Sequence, residues 1–105
     1  MTEKDPVDAV VEAVREGLRG VMDPELGINI VDLGLVYDIE VEDGHAKVTM
    51  TLTSPGCPAG GQILMGAQKA AEETDGVEKA DVNLVWKPFW TPDRIDAAVR
   101  AMMGF

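Results

Sequence analysis

The stretch LVYDIEVEDGHAKVTMTL, residues 35–52, decides the fold. Asp43-Gly44 at its centre is the signature of a two-residue type I′ hairpin turn, whose central residues need the positive φ that Gly and Asp tolerate. Folding the chain there pairs residues whose numbers sum to 87: Val41 with Ala46, Ile39 with Val48, Tyr37 with Met50 and Leu35 with Leu52. All eight fall on one face. On the other, Glu40 meets Lys47, an opposite-charge cross-strand pair. A one-residue slip would mix the two faces, so the register is strongly specified. The resulting sheet is packed on one side and wet on the other.

Upstream, Asp5 and Pro6 cap and open a helix whose apolar residues, Val7, Val10, Val11, Val14 and Leu18, recur at helical spacing, with Gly20 as its stop. Asp23-Pro24-Glu25 repeats the capping logic and predicts one short helical turn ended by Gly27. Gly34, inside Leu33-Gly34-Leu35, predicts a bulge or a close backbone approach. Downstream, residues 53–61 form a loop into a second helix from about Pro58 to Thr74, with Ile63, Leu64, Ala67 and Ala71 on its apolar face and Gly76 after it. Val82, Leu84 and Trp86 alternate as a third strand, which Lys87-Pro88-Phe89-Trp90 breaks. Thr91 and Pro92 then cap a last helix with Ile95, Ala98, Val99 and Met102 inward. The expected fold is α+β: a two-layer α/β sandwich with a small mixed three-stranded sheet and helices on one face, in the order α-β-β-α-β-α. Residues 1–105 are expected to make a single domain.

The chain has 19 Asp+Glu against 9 Lys+Arg, a net charge of −10. That opposes non-specific nucleic-acid binding and attachment to an anionic membrane surface, both of which need clustered cations. The acidity would also suit a high-salt cytosol. The first ten residues have no apolar core of a signal peptide, so a reducing cytoplasm is the expected compartment. With one Cys, neither an intrachain disulfide nor a structural zinc site can form within the chain.

That cysteine, Cys57, is the leading candidate for chemistry. It lies in Pro55-Gly56-Cys57-Pro58 at the mouth of the second helix, where backbone N–H groups and the positive dipole end favour an anion. Both effects lower a thiol pKa, so a thiol modestly more acidic than the usual value of about 8.5 is expected, and one dispensable for folding. The competing reading is a small buried hydrophobe. From Val48 to Gln68 there is no charged residue, where about five would be expected, and the gap is centred on Cys57. It reads as a buried strand and helix start, as an apolar or partner-covered cleft around the thiol, or as both. Asp23 and Glu25 read first as helix caps and second as partners for something held by the thiol. Thr51 and Thr53 point to the less apolar side of their strand. His45 is expected to be solvated, and some seven strand steps of about 3.3 Å separate its end of the hairpin from the cysteine loop, so it cannot serve as a base for Cys57. Trp86, Phe89 and Trp90 read as core, or as a lid or docking patch.

Asp-Pro-Glu at 23–25, Asp-Leu-Gly-Leu-Val-Tyr at 32–37, Thr-Ser-Pro-Gly-Cys-Pro at 53–58 and Trp-Lys-Pro-Phe-Trp-Thr-Pro at 86–92 together resemble the metal–sulfur cluster assembly-factor family. That family includes SufT, the PaaD-like proteins and the eukaryotic cytosolic iron–sulfur targeting subunits. The resemblance runs from Asp5 to the last helix and implies the same two-layer fold. It also implies a non-enzymatic role in assembling or delivering iron–sulfur clusters. Cys57 would be the reactive, transient ligand of a cluster or of iron. Asp23 and Glu25 would match the family's acidic pair, and Thr53, Pro55, Gly56 and Pro58 would form the supporting loop. The implied partners are iron–sulfur scaffold or carrier proteins and recipient apoproteins. One thiolate cannot own a cluster that about four Cys normally hold. It would donate one ligand in a transient complex, or bridge a cluster between two copies with outside thiols. The PaaD branch carries extra C-terminal cysteines absent here, which favours the general assembly factor over an oxygenase accessory subunit. A thiol-dependent redox enzyme would need a base or a resolving thiol beside Cys57, and none is visible.

Leu52 is central to the inward face, so Leu52→Asp is expected to unfold the protein by burying an unpaired carboxylate. Loss of the cooperative melt and of native circular dichroism is the readout; a native-like melt would refute the burial of Leu52.

Overall fold

The computed structural model describes residues 6–24, 26–53 and 60–103. Its elements are α1 (Pro6–Leu18), β1 (Met22–Asp23), β2 (Ile28–Asn29), β3 (Val36–Glu42), β4 (His45–Met50), α2 (Gly60–Glu72), β5 (Lys79–Leu84), a 3₁₀ turn (Pro92–Arg94) and α3 (Ala97–Met103). β4 is the central strand of a three-stranded sheet, antiparallel to β3 and parallel to β5. A parallel neighbour cannot be reached through a tight turn, and α2 is the crossover that reaches it. α1 packs against α2 and β3, and α2 against β5. Val14 and Leu18 from α1, Ala46, Val48 and Met50 from β4, and Ile63, Ala67 and Ala71 from α2 form the interior. This is the expected α+β sandwich with its small mixed sheet.

The hairpin register holds for Val41 with Ala46, Glu40 with Lys47 and Ile39 with Val48, about a turn with Asp43 at φ 50° and Gly44 at φ 79°. It fails beyond. Asp38 pairs with Thr49 and Val36 with Met50, so Tyr37 is the extra residue of a bulge and is not the partner of Met50. Leu35 stands opposite Thr51, whose N–H donates to the Leu35 carbonyl (2.9 Å), not opposite Leu52. The reason lies in the C-terminal segment. The Tyr37 hydroxyl donates to the Pro88 carbonyl (2.7 Å), and the Arg94 guanidinium lies 4.8 Å above the Tyr37 ring. Leaving the core gives the phenol its hydrogen bond and the ring a cation–π contact, and a bulge is how a strand re-aims one side chain.

Two further segments show more than the sequence suggested. The single helical turn expected after Asp23 is present as one i→i+4 turn, closed by the Gly27 N–H on the Asp23 carbonyl (2.8 Å), and Asp23 caps it, its Oδ1 accepting from the Leu26 N–H at 3.2 Å. It sits at the tip of a ribbon that was not expected, in which β1 and β2 pair Met22 with Asn29 and Asp23 with Ile28. The last helix is also in two pieces. Thr91 makes no side-chain cap, and after the 3₁₀ turn Ile95 is extended (ψ 139°). That turn of the chain buries Ile95. The cap belongs to Asp96, whose Oδ1 accepts from the N–H groups of Ala98 (3.1 Å) and Val99 (3.4 Å). Ala98 and Met102 consequently face solvent, not the interior. β5 likewise ends at Leu84, and Trp86 lies beyond it, packed against the core margin.

Gly34 behaves as expected. Its φ is +77°, and a Cβ there would lie 2.7 Å from the Arg94 carbonyl carbon. Around that contact the Trp90 Nε1–H donates to the Leu33 carbonyl (2.6 Å) and the Asp96 N–H to the Asp32 carbonyl (2.7 Å). Gly27 has a similar φ of +70° with nothing within 4 Å of its position. The pair separates conformational strain from collision: Gly27→Ala is expected to cost about 1 kcal/mol and Gly34→Ala about 2–4 kcal/mol. Urea unfolding of both variants measures the difference, and equal costs would refute the close approach at Gly34.

Candidate functional site

Cys57 and its neighbours Pro55, Gly56 and Pro58 lie outside the described residues, as does Glu25. The structure fixes what flanks them. β4 ends at Met50, and its ladder with β5 continues one step further through the Val85 N–H on the Met50 carbonyl (2.9 Å). The chain then runs through buried Thr51 and Leu52 to half-buried Thr53, and is described again at Gly60, which opens α2. A Cβ on Gly60 would lie 2.8 Å from Leu52 Cδ1, so the strand end and the helix start are packed directly together. Residues 54–59 therefore connect two anchored points at the carboxyl end of the central strand. That is where open α/β sheets place their ligand sites, because the strand stops there and the next helix begins. The first turn of α2 carries no acidic residue, so no carboxylate opposes the positive end of its dipole.

Asp23 and Thr51 are the buried polar residues among those described. Thr51 was expected on the wetter side of its strand. It is fully buried instead, because the strand pairing ends at Met50 and the Thr51 N–H turns onto Leu35. Backbone bonds join the segments that carry the two residues: the Ile30 N–H donates to the Val21 carbonyl (2.9 Å), the Leu35 N–H to the Ile30 carbonyl (3.0 Å), and the Thr51 N–H to the Leu35 carbonyl. Part of the ordinary reading of Asp23 holds, since its carboxylate serves the Leu26 N–H. Its near-complete burial exceeds what a surface turn requires. No sequence signal marked Thr51 as buried except the uncharged stretch that contains it.

His45 is not simply solvated. Its Nε2 lies 2.6 Å from Asp81 Oδ2, across the β4–β5 pairing. It stands at the opposite end of β4 from the cysteine loop, five residues or roughly 16 Å of strand from Met50. Among the described residues, no group of three or more His, Cys, Asp or Glu is placed to hold a metal ion. No helix among them is long and apolar enough to cross a membrane.

Residues 11–84 match the family profile described as iron-sulfur cluster assembly protein, and the chain belongs to that family. The Fe-S protein maturation auxiliary factor YitW of Bacillus subtilis is 42% identical over 98 residues, covering 92% of this chain and 96% of its own. The Fe-S protein maturation auxiliary factor SufT of Staphylococcus aureus is 46% identical over 85 residues, covering 80% of this chain and 97% of its own. A solved domain of unknown function from Bacillus anthracis superposes with a TM-score of 0.86 at 39% identity, over 93% of this chain and 94% of that one.

The Asp23–Leu26 bond gives a direct test of the local geometry. Asp23→Ala is expected to lower stability by about 1–2 kcal/mol, whereas Asp23→Asn keeps an acceptor oxygen and recovers most of that loss. Thermal and urea melts of the two variants decide it; equal destabilisation would show that the carboxylate charge matters more than the turn.

Proposed function

We propose that this protein matures iron–sulfur apoproteins by lending the Cys57 thiolate as one ligand to a cluster, or to iron, passing from a scaffold or carrier to a recipient. The observation that carries this reading is the position of the chain's single thiol. It belongs to the segment that joins the carboxyl end of β4 to an α2 first turn without acidic residues. The auxiliary-factor relatives support the same reading.

A thiolate brought to the first turn of α2 would be stabilised by the N–H groups of that helix end. One thiolate is about three ligands short of a complete iron–sulfur site, and the described residues add no metal-holding group. The remaining ligands must come from the donor and the acceptor. Incomplete ligation makes the cluster easy to pass on, which a resident four-cysteine site would not allow. Asp23 and Glu25, with Thr53, Pro55, Gly56 and Pro58, would shape and support the exchange site. The role is ligand donation, not turnover of a substrate. A thiol transferase or peroxidase cycle has no resolving thiol, since the chain has one Cys, and its one His is engaged with Asp81. The reducing cytoplasm, where such thiols persist, is the proposed compartment.

Cys57→Ser is expected to shift unfolding free energy by about 1 kcal/mol or less while reducing the activity of iron–sulfur client enzymes to the level of a deletion strain. Client enzyme activity in a strain carrying only the variant is the measurement. Normal client activity would refute the role of the thiol.

A further inference from the structure

The described residues expose five large hydrophobic side chains, and three of them share one groove. Met22 (50% exposed), Leu26 (42%) and Met102 (87%) line a groove of 380 Å³, together with Ile28, Val99 and Asp32. Its walls are the β1–β2 ribbon on one side and α3 on the other. Val99 and Met102, three residues apart, lie on one helical face, and that face looks into the groove and outward. Scattered exposed hydrophobics need no explanation, but a convergent apolar set rimmed by polar residues marks an interaction site. Methionine suits such a surface because its flexible, polarisable side chain adapts to different partners.

The charges around the groove select the occupant. Asp32 stands in its wall, held by the Asn29 Nδ2–H (3.0 Å). Asp96 sits beside it through the 2.7 Å bond from its N–H to the Asp32 carbonyl. The nearest cation on α3, Arg100, is drawn to Asp93 at 3.5 Å. Among the described residues, Asp32 is thus the one charged residue that lines the groove, with Asp96 next to it, in a chain whose net charge is −10. A second copy related by a two-fold axis would set these carboxylates against their own copies, which like charges oppose. A partner whose apolar face is bordered by Lys and Arg complements both the groove and its carboxylates.

We propose that this groove docks one face of an amphipathic helix with a basic border, presented by a polypeptide that receives or delivers the cluster. The identity of that polypeptide rests on the maturation reading above; the groove and its chemistry do not. The ribbon that carries Met22 into the groove also carries Asp23. A helix seated in the groove would hold its protein against that ribbon.

The test uses the full chain with methyl-labelled methionines and two synthetic helical peptides. The first carries Leu at helical i, i+3, i+4, i+7 spacing and Lys along the borders; the second replaces Lys by Glu. Binding of the Lys peptide is expected to shift the Met22 and Met102 methyls and to leave Met65 unmoved. Met65 is 76% exposed on α2 outside the groove, so it reports general charge attraction. Leu26→Asn combined with Met102→Gln leaves the net charge unchanged and is expected to weaken binding by about tenfold or more, as loss of central apolar anchors does. Leu26 and Met102 are exposed, so the variant is expected to melt with the parent; Met22→Gln with Met102→Gln is the second variant should it not. Equal shifts at Met65, variant affinity within about twofold of the parent, or equal binding of the Glu peptide would overturn the proposal. So would a sedimenting dimer of the parent that the variant disperses, which would assign the groove to a second copy. Cys57 is intact in every arm and no client enzyme is read, so failure here leaves the maturation reading standing, and failure of the Cys57→Ser test leaves the groove standing.

Discussion

The structure depends on β4 being paired on both edges, antiparallel to β3 and parallel to β5. The antiparallel edge comes from a two-residue turn and is local. The parallel edge is not, since the chain must cross the length of the sheet before it can pair again. α2 is that crossover, and its apolar face, Ile63, Ala67 and Ala71, covers the strands it connects. The site follows from the same constraint. A chain that leaves the carboxyl end of a central strand at Met50 and is helical again from Gly60, with Gly60 packed on Leu52, brings the strand end and the helix start together. The one cysteine of the sequence belongs to the segment between them.

A second set of contacts fastens the C-terminal segment over the turn before β3. Trp90 donates to Leu33, Tyr37 to Pro88 and the Asp96 N–H to Asp32, while Arg94 lies against Gly34 and above the Tyr37 ring. Two of the motifs that carry the family resemblance, residues 32–37 and 86–92, are thereby the two halves of one interface. They are joined by polar bonds from the Tyr37 and Trp90 side chains, each giving its ring a partner for its polar end. The first half leads through Leu35 to Thr51 and through Ile30 to the Asp23 ribbon, so this interface also positions the frame of the candidate site.

The distribution of charge fits a protein that works by transient contact. The surface is strongly acidic, yet the stretch from Val48 to Gln68 is uncharged and holds the thiol. Surface carboxylates are screened beyond roughly 8–10 Å at ordinary salt, so the acidity of the rest of the surface reaches such an uncharged stretch only weakly. A net charge of −10 favours encounter with cationic surfaces over anionic ones.

The hairpin turn, α1, α2, the third strand and the close approach at Gly34 were legible in the residues because each rests on short-range rules. These are side-chain alternation in strands, 3.6-residue periodicity in helices, and the conformational freedom of glycine at a turn. The reading of Pro-Gly-Cys-Pro as a loop also rests on a local signal, and those residues lie outside the described ones. The Tyr37 bulge, the β1–β2 ribbon, the broken final helix and the burial of Thr51 were not. The alternation of residues 35–52 argued for an unbroken strand, and only a hydrogen-bond acceptor 51 positions away, on Pro88, makes expelling Tyr37 favourable. Ile95 fits a helical face as well as Val99 does, and only the core it enters pulls it out of the helix and passes the cap to Asp96. Periodicity and turn chemistry set which elements form. Contacts between residues far apart in sequence, which no local pattern encodes, decided where strands kink, where helices break and which polar groups are buried.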